Sequence, residues 1–388
     1  MTAAETTRQA PVPPVSAPTM MRAAVWHGPG DLRLEHRRIP VPAAGEVLVA
    51  VRAAGVCGTD IHELHHGPVI TPLRQRHPLT GHLGPLVLGH EFSGEVVDAG
   101  PGTSLRPGTM ISSGSGVSCG ACPACRAGRT NLCQQYWTVG FHRDGALAEY
   151  CALPESVCVP LGDRALTADA AALAQPMSIA VHAARRGCPT AGSSVLVLGA
   201  GGIGAFLVAA LRVAGGVGRI VVMEPDPARR DVALALGADE AVAPGSADPG
   251  AFETVYEVSG SAAGLTSAVS AAARGGRIVL VGIQQPAVAG EDTLRQATLH
   301  ELQLLGTSAH ALGADFPTAL DVLAEHGDWT IVAPRAGTLA ELVTQLTGPA
   351  DGLGPIKRLF DPSAARPRAA QYATSERAAA GTHSAGRP

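Results

Sequence analysis

Residues 194–204, SVLVLGAGGIG, are a short apolar run that passes straight into three glycines spaced as Gly199, Gly201 and Gly204. Apolar residues continue from Ile203 to about Ala214, where Gly215 and Gly216 stop them. This order predicts a strand buried on both faces, a tight turn and a helix, the repeating unit of a parallel sheet covered by helices. A second strand, RIVVM, closes on Glu224, 20 residues after Gly204. Strand, G-x-G-x-x-G, helix and acid together form the setting in which a dinucleotide binds. The first glycines let the backbone turn and approach the pyrophosphate, which faces the free N–H groups of the helix N-terminus. Gly199, Gly201, Gly202, Ile203 and Gly204 are the expected pyrophosphate loop. Glu224 is expected to accept hydrogen bonds from the adenosine ribose, and its charge repels a 2′-phosphate, which favours NAD over NADP. Arg229 and Arg230 follow on DPARRDVALALG, where they read more simply as a solvated helix face.

Four more strands are expected at residues 240–243, 254–258, 277–282 and 301–307, with helical stretches such as SAAGLTSAVSAAARGG between them. They bring the count to six parallel strands in a doubly wound α/β sheet. Ser259, Val281, Gly282 and Ile283 lie at the ends of the later strands, where a nicotinamide would rest. Upstream, MRAAVWH, DLRLEHRRIP, GEVLVAVRAAGV and EFSGEVVDAG alternate apolar and polar residues between Gly and Pro, the pattern of a β-rich domain that begins near Met21. TADAAALAQPMSIAVHAARRG then turns helical and marks the change of domain. FPTALDVLAEHG reads as an amphipathic helix, and PIKRLFDP as a last strand returning to the first domain. A chain of 388 residues has room for two domains. The division expected is 21–175 with 310–362 for the β-rich domain and 176–309 for the parallel sheet, flanked by a disordered leader at 1–20 and a disordered tail at 363–388.

A net charge of -4 gives no reason to expect a nucleic-acid or anionic-membrane partner, which leaves a small-molecule substrate. The longest apolar runs are strand-sized, far short of the roughly 20 residues of a membrane helix. Residues 1–20 carry neither the basic nor the apolar region of a secretory signal.

Two cysteine-bearing segments supply metal chemistry. Cys119, Cys122, Cys125 and Cys133 are spaced C-x2-C-x2-C-x7-C, so four thiolates within 15 residues can close a tetrahedral shell around Zn²⁺. A redox dithiol or an iron–sulfur cluster fits less well, because the fourth cysteine comes too late for the ferredoxin run and the proline that follows that run is absent. The second segment, residues 55–94, reads as one continuous loop-rich stretch. Its Cys57, His90 and Glu91 offer S, N and O donors, and three protein ligands leave a fourth zinc position open. Thr59 and His62, two and five residues after Cys57, could pass a proton outward. Taken alone, Cys57 could as well be a buried cysteine packing as a small hydrophobe; the joint pattern favours the metal reading. Eight cysteines in a chain of this size, four of them at zinc spacing, imply a reducing cytoplasm, with Cys151, Cys158 and Cys188 expected to be buried structural residues.

With both zinc motifs and the dinucleotide fingerprint in this order, residues 21–362 resemble the zinc-dependent medium-chain alcohol and polyol dehydrogenases. CGTDIHE, GPVITP, HPLTG and GHEFSGEVV look most like the 2,3-butanediol dehydrogenase branch, with sorbitol and threonine dehydrogenases as neighbours. The resemblance implies a GroES-like catalytic domain joined to a Rossmann domain, subunits paired through the Rossmann sheet edges as a homodimer or homotetramer, and a catalytic and a structural zinc beside NAD. It also implies a departure: Gln175-Pro176 stands where the polyol branch carries Glu-Pro, whose glutamate binds or approaches the catalytic zinc. Ala309-His310 stands where relatives often carry a bulkier substrate-facing residue. The reading is reversible oxidation of a secondary alcohol, a vicinal diol or polyol, to its ketone. Its alternatives are a specialised-pathway dehydrogenase or reductase acting on a cyclitol, sugar or imine, and a non-catalytic dinucleotide-binding protein that keeps only the structural zinc.

Overall fold

A computed structural model describes residues 19–283, 291–348 and 355–364, the side chain of Glu291 apart. The expected leader and tail fall outside the described residues, except for their innermost positions.

The β-rich part runs through β1 (Met20–Gly28), β2 (Asp31–Arg38), β3 (Glu46–Gly55), α1 (Gly58–His66), β4 (Leu86–Val87), β5 (Glu91–Ala99) and β6 (Met110–Ser113). Next come β7 (Gly116–Val117), α2 (Pro123–Arg126), β8 (Trp137–Thr138), β9 (Tyr150–Pro154) and β10 (Cys158–Pro160). Trp26, Val49, Phe92 and Tyr150 fill its core. Residues 58–66 correct the reading of 55–94 as continuous loop, because they form α1. Two acids explain the helix. Asp60 Oδ2 accepts the Cys57 N–H at the helix start. Beyond its end, Glu63 Oε1 takes the N–H groups of Val69, Ile70 and Thr71 and so holds the turn that follows.

Helices α3 (Ala168–Ala172) and α4 (Ala174–Gly187) lead into the second part. There β11 (Ser194–Leu198), α5 (Gly202–Ala214), β12 (Arg219–Met223), α6 (Pro227–Ala235), β13 (Glu240–Val242) and β14 (Phe252–Glu257) precede α7 (Ala262–Ala271), β15 (Ala272–Leu280), α8 (Glu291–Leu299) and β16 (Gln303–Gly306). The six strands are parallel, as the apolar runs predict, and the structure sets them in the order β13-β12-β11-β14-β15-β16. Period-two burial explains those runs: Val195 and Val197 of β11 pack with α4 and α5, whereas Leu196 and Leu198 pack on the other face with Val255, Val269 and Ile278.

The chain continues through α9 (Leu312–His326), β17 (Arg335–Thr338), α10 (Leu339–Thr347) and β18 (Leu359–Asp361). Phe316, Leu320 and Leu323 of α9 join the core of the parallel sheet, while β18 pairs antiparallel with β3. Among the described residues no helix is long and apolar enough to cross a membrane. All eight cysteines are free. Cys151 and Cys158 are buried as expected, but Cys188 is exposed: it ends α4 in a left-handed conformation, φ 42°, at a surface turn.

Candidate active site

Three strand ends converge beside Cys57. In the register of the seven-stranded sheet Gly55 of β3 faces Glu91 of β5 on one side and Leu359 of β18 on the other. Gly55 has to lack a side chain here, since a Cβ would stand 2.7 Å from Glu91 Oε2. Two residues on, Cys57 caps α1, and the donor atoms of Cys57, His90 and Glu91 lie within 4.8 Å of one another. His90 and Glu91 are buried, and His90 packs its ring 4.7 Å from that of Phe141.

The donor set fits a zinc ion. Soft, borderline and hard ligands meet in one small volume, and Glu91 Oε2 is buried with no hydrogen-bond partner. Asp60, which holds the Cys57 backbone, also places Oδ1 3.4 Å from His90 Nδ1. That carboxylate orients the ring and leaves Nε2 as the nitrogen for a metal. Burial opposes a charged imidazole, but Asp60 and Cys57 outweigh it and raise the His90 pKa well above its ordinary value. Gln175, in the first turn of α4, is buried and its Oε1 has no partner.

Lys357 is a residue of this group that the sequence reading missed. It is 5% exposed and donates to Glu91 Oε1. Burial works against its charge, yet Glu91, Cys57 and Asp60 raise its pKa. Only the closure of β18 onto β3 brings it there, and no local motif announces that closure.

A cleft of about 1510 Å³ opens in front of this group, lined by Cys57, Thr59 and Lys357 on one side and by the expected dinucleotide loop on the other. Gly199, Gly201, Gly202, Ile203, Glu224, Ser259, Gly282 and Ile283 all line it. Gly204 lies behind the loop, where a Cβ would stand within 1.9 Å of Gly199 O, so its role is close packing of helix on strand. Val281 packs with the hydrophobic core. Glu224 is fixed in place by the N–H groups of Ala200 and Asp226, at 2.7 and 3.0 Å. Glu257, fully buried at the end of β14, accepts the N–H groups of Ser259 and Gly260 and shapes the opposite rim. Thr59 Oγ1 is 3.7 Å from Cys57 Sγ. His62 lies exposed on α1, its ring 4.9 Å from that of His66, and it is His65 that lines the cleft.

The four lobe cysteines also gather within 4.8 Å. Backbone N–H groups of Ala121 and Cys122 point at Cys119 Sγ, that of Cys125 at Cys122 Sγ, and those of Cys119 and Gln135 at Cys133 Sγ. Such donors stabilise thiolates, and the N–H of Cys125 pulls the Cys122 thiol down to about 6. Desolvation and the neighbouring thiols push Cys125 up to about 11, a penalty that a shared cation removes. Four sulfurs with no oxygen or open donor suit a closed zinc site.

Known proteins share this build. Residues 43–163 match the alcohol dehydrogenase GroES-like domain and residues 202–325 the zinc-binding dehydrogenase domain. The chain is 33% identical over 273 residues to (R,R)-butanediol dehydrogenase of Bacillus subtilis (strain 168), covering 68% of this chain and 78% of that protein. It is 32% identical over 318 residues to L-galactonate-5-dehydrogenase of Escherichia coli (strain K12), covering 79% and 88%. A solved structure from Sinorhizobium meliloti 1021, assigned as a zinc-binding dehydrogenase and bound to NADP, superposes with a TM-score of 0.79 at 30% identity, covering 89% of this chain and all of that one.

Proposed function

The chain belongs to the zinc-dependent medium-chain alcohol dehydrogenases, oxidoreductases acting on CH–OH groups, and from that premise we propose that it interconverts a vicinal diol or polyol of the 2,3-butanediol kind with its ketone, using NAD. The observation that carries this is the mixed donor set of Cys57, His90 and Glu91 directly behind a cleft whose opposite wall is a dinucleotide loop. Cys57, His90 and Glu91 would hold zinc, which when bound would supply Lewis-acid polarisation of a substrate oxygen, and the cleft would hold the dinucleotide whose nicotinamide would supply hydride chemistry.

The chain's own residues do the rest. Lys357 neutralises one oxygen of Glu91 and leaves the other free. Thr59, on the cleft wall next to Cys57, accepts the substrate's hydroxyl proton as it passes its own hydroxyl proton on, and an imidazole nitrogen of His62 or His65 on α1 takes up the proton that leaves. Glu224, pinned by two amides, presents its carboxylate to the cleft where the adenosine ribose is expected, which supports NAD even though the Sinorhizobium structure holds NADP. Eight free thiols, four of them at metal spacing, fit a reducing cytoplasm. β16 is one of the two edge strands of the parallel sheet and carries exposed Leu304, which supports pairing of two subunits along that edge.

A second reading, a cyclitol, sugar or imine substrate with altered metal chemistry, is favoured by the unpartnered amide oxygen of Gln175. One experiment separates the two: NAD and NADP reduction measured across vicinal diols, polyols, cyclitols and amino sugars, with zinc counted per chain. Turnover of diols with NAD and two zincs supports the diol reading. Turnover confined to cyclitols or amino sugars supports the second, and dinucleotide binding without turnover or a second zinc sinks both.

A further inference from the structure

Thr130 and Asn131 lie inside the cysteine lobe, between Cys125 and Cys133, yet both reach out of it. Asn131 Nδ2 donates to Ser308 O at 2.8 Å and lies 3.5 Å from His182 Nε2 on α4. Thr130 Oγ1 accepts the N–H of Leu312, the first residue of α9, at 3.2 Å. From His182 the contacts continue inward. Its Nδ1 stands 2.8 Å from Asp315 Oδ2, so a proton on Nδ1 leaves Nε2 as an acceptor, and the two hydrogens of the Asn131 amide then serve Ser308 and His182. Asp315 is fully buried, and it also takes the Ala311 N–H at 2.7 Å and the guanidinium of Arg185.

Residues 308–315, which carry the chain out of the parallel sheet, are thus held from two sides, by the lobe and by α4. A staple closed by its own thiols and N–H groups has no need of these outward contacts. α4 packs on β5, the strand that begins at Glu91, and on α5, the helix that begins in the dinucleotide loop. It also carries Gln175 in its first turn. A shift of α4 therefore reaches both walls of the cleft, although Asn131 does not line it.

We propose that Asn131 is a positioning residue that clamps the cysteine lobe to residues 308–315 and, through His182 and Asp315, sets α4 against the cleft. Dinucleotide affinity and turnover then depend on a side chain in the structural lobe. The inference rests on the dehydrogenase reading only for turnover; the clamp itself is read from binding.

The test is Asn131→Asp, which keeps the shape and removes both donors, with Asn131→Ala as a second variant. Zinc per chain, NADH affinity without substrate, kcat and KM, and backbone hydrogen exchange are compared with the parent protein. Both variants should keep the parent's zinc, exchange faster through 308–315 and into the first turn of α4, and bind NADH about three- to tenfold more weakly, with kcat/KM lowered at least as much. Faster exchange confined to 308–312 with NADH affinity within about twofold of the parent would overturn the proposal. So would loss of lobe zinc, because Asn131 would then serve the lobe's own folding. NADH affinity needs no substrate, so a wrong substrate class leaves this test intact.

Discussion

The two candidate metal sites differ in how much chain is needed to build them. In the cysteine lobe, all four donors and the amides that stabilise them come from residues 119–135. The Cys57 site takes one donor from the start of a helix, one from the first residue of a strand and one from the residue before it, and it places Asp60 and Lys357 around them. The lobe's four sulfurs are enough to satisfy a zinc ion. The Cys57 site offers three donors, lies half behind a cleft and has a lysine competing for one carboxylate. A closed, local site suits folding, whereas an open one assembled at a distance suits chemistry, because its fourth position faces a cavity that can admit a substrate.

Replacing one cysteine in each site is the strongest way to break that contrast. Cys57→Ser should lower turnover by about a thousandfold or more, the worth of several kcal/mol of transition-state stabilisation, while NADH affinity stays within a few-fold and thermal unfolding barely moves. Cys122→Ser should do the reverse, destabilising the fold and releasing one zinc. Equal losses of stability in both variants would mean that the Cys57 site is also a staple.

Lys357→Met probes the open site from its other side. Removing the cation leaves Glu91 as an uncompensated buried carboxylate, and breaking such a pair destabilises by about 3–5 kcal/mol. Zinc gives Glu91 a new partner, so the loss should be large in protein stripped of metal and much smaller in the zinc-loaded form. Equal losses in both forms would show that Glu91 takes no part in binding metal. Urea unfolding with and without chelator reads the difference.

The proton path sharpens the comparison further, because the lobe has none. If α1 carries the proton outward, one histidine on it is worth about a hundredfold in turnover. His62→Ala should show that loss if the i+5 position serves, and His65→Ala if the cleft-lining position serves; an unchanged rate in both places the exit elsewhere.

The same contrast explains what the sequence made legible. The lobe and the dinucleotide loop are contiguous, and their spacing carries their geometry: the six parallel strands follow from apolar runs buried on both faces, though not their order, and Gly199, Gly201 and Gly202 line the cleft as the fingerprint expects. Cys57, His90 and Glu91 were also readable from their S, N and O donors, although what brings them together is the pairing of the strand that starts at Glu91 with the one ending at Gly55. Lys357 was not. It arrives through β18, a three-residue strand that follows a long excursion, and its meaning depends on a register that no periodicity encodes. Helix α1 was hidden for a related reason. Residues 58–66 have a weakly apolar pattern, and the helix depends on side-chain acids that collect backbone donors from either end.

A last difference lies outside both sites and carries the smallest effect. His310 is buried beside Phe316, with Nδ1 unpartnered, and burial pushes its pKa down to about 4 despite the opposing charge of Asp315. An unfolded histidine titrates near 6.5, so as pH falls below that value the unfolded chain takes up a proton that the folded chain refuses. Stability is therefore intact above pH 6.5 and is lost as the pH drops toward 4. Between pH 7 and pH 5.5 the loss from this one residue is about 1 kcal/mol. His142, pushed to about 4 mainly by burial, should add a smaller share because it is only half-buried and solvent screens it. In His310→Leu the melting temperature should fall less between pH 7 and pH 5.5 than in the parent. If the two proteins lose the same amount, His310 is protonated in the folded state, and the buried pair beside Asp315 holds a charge that its surroundings do not lead one to expect.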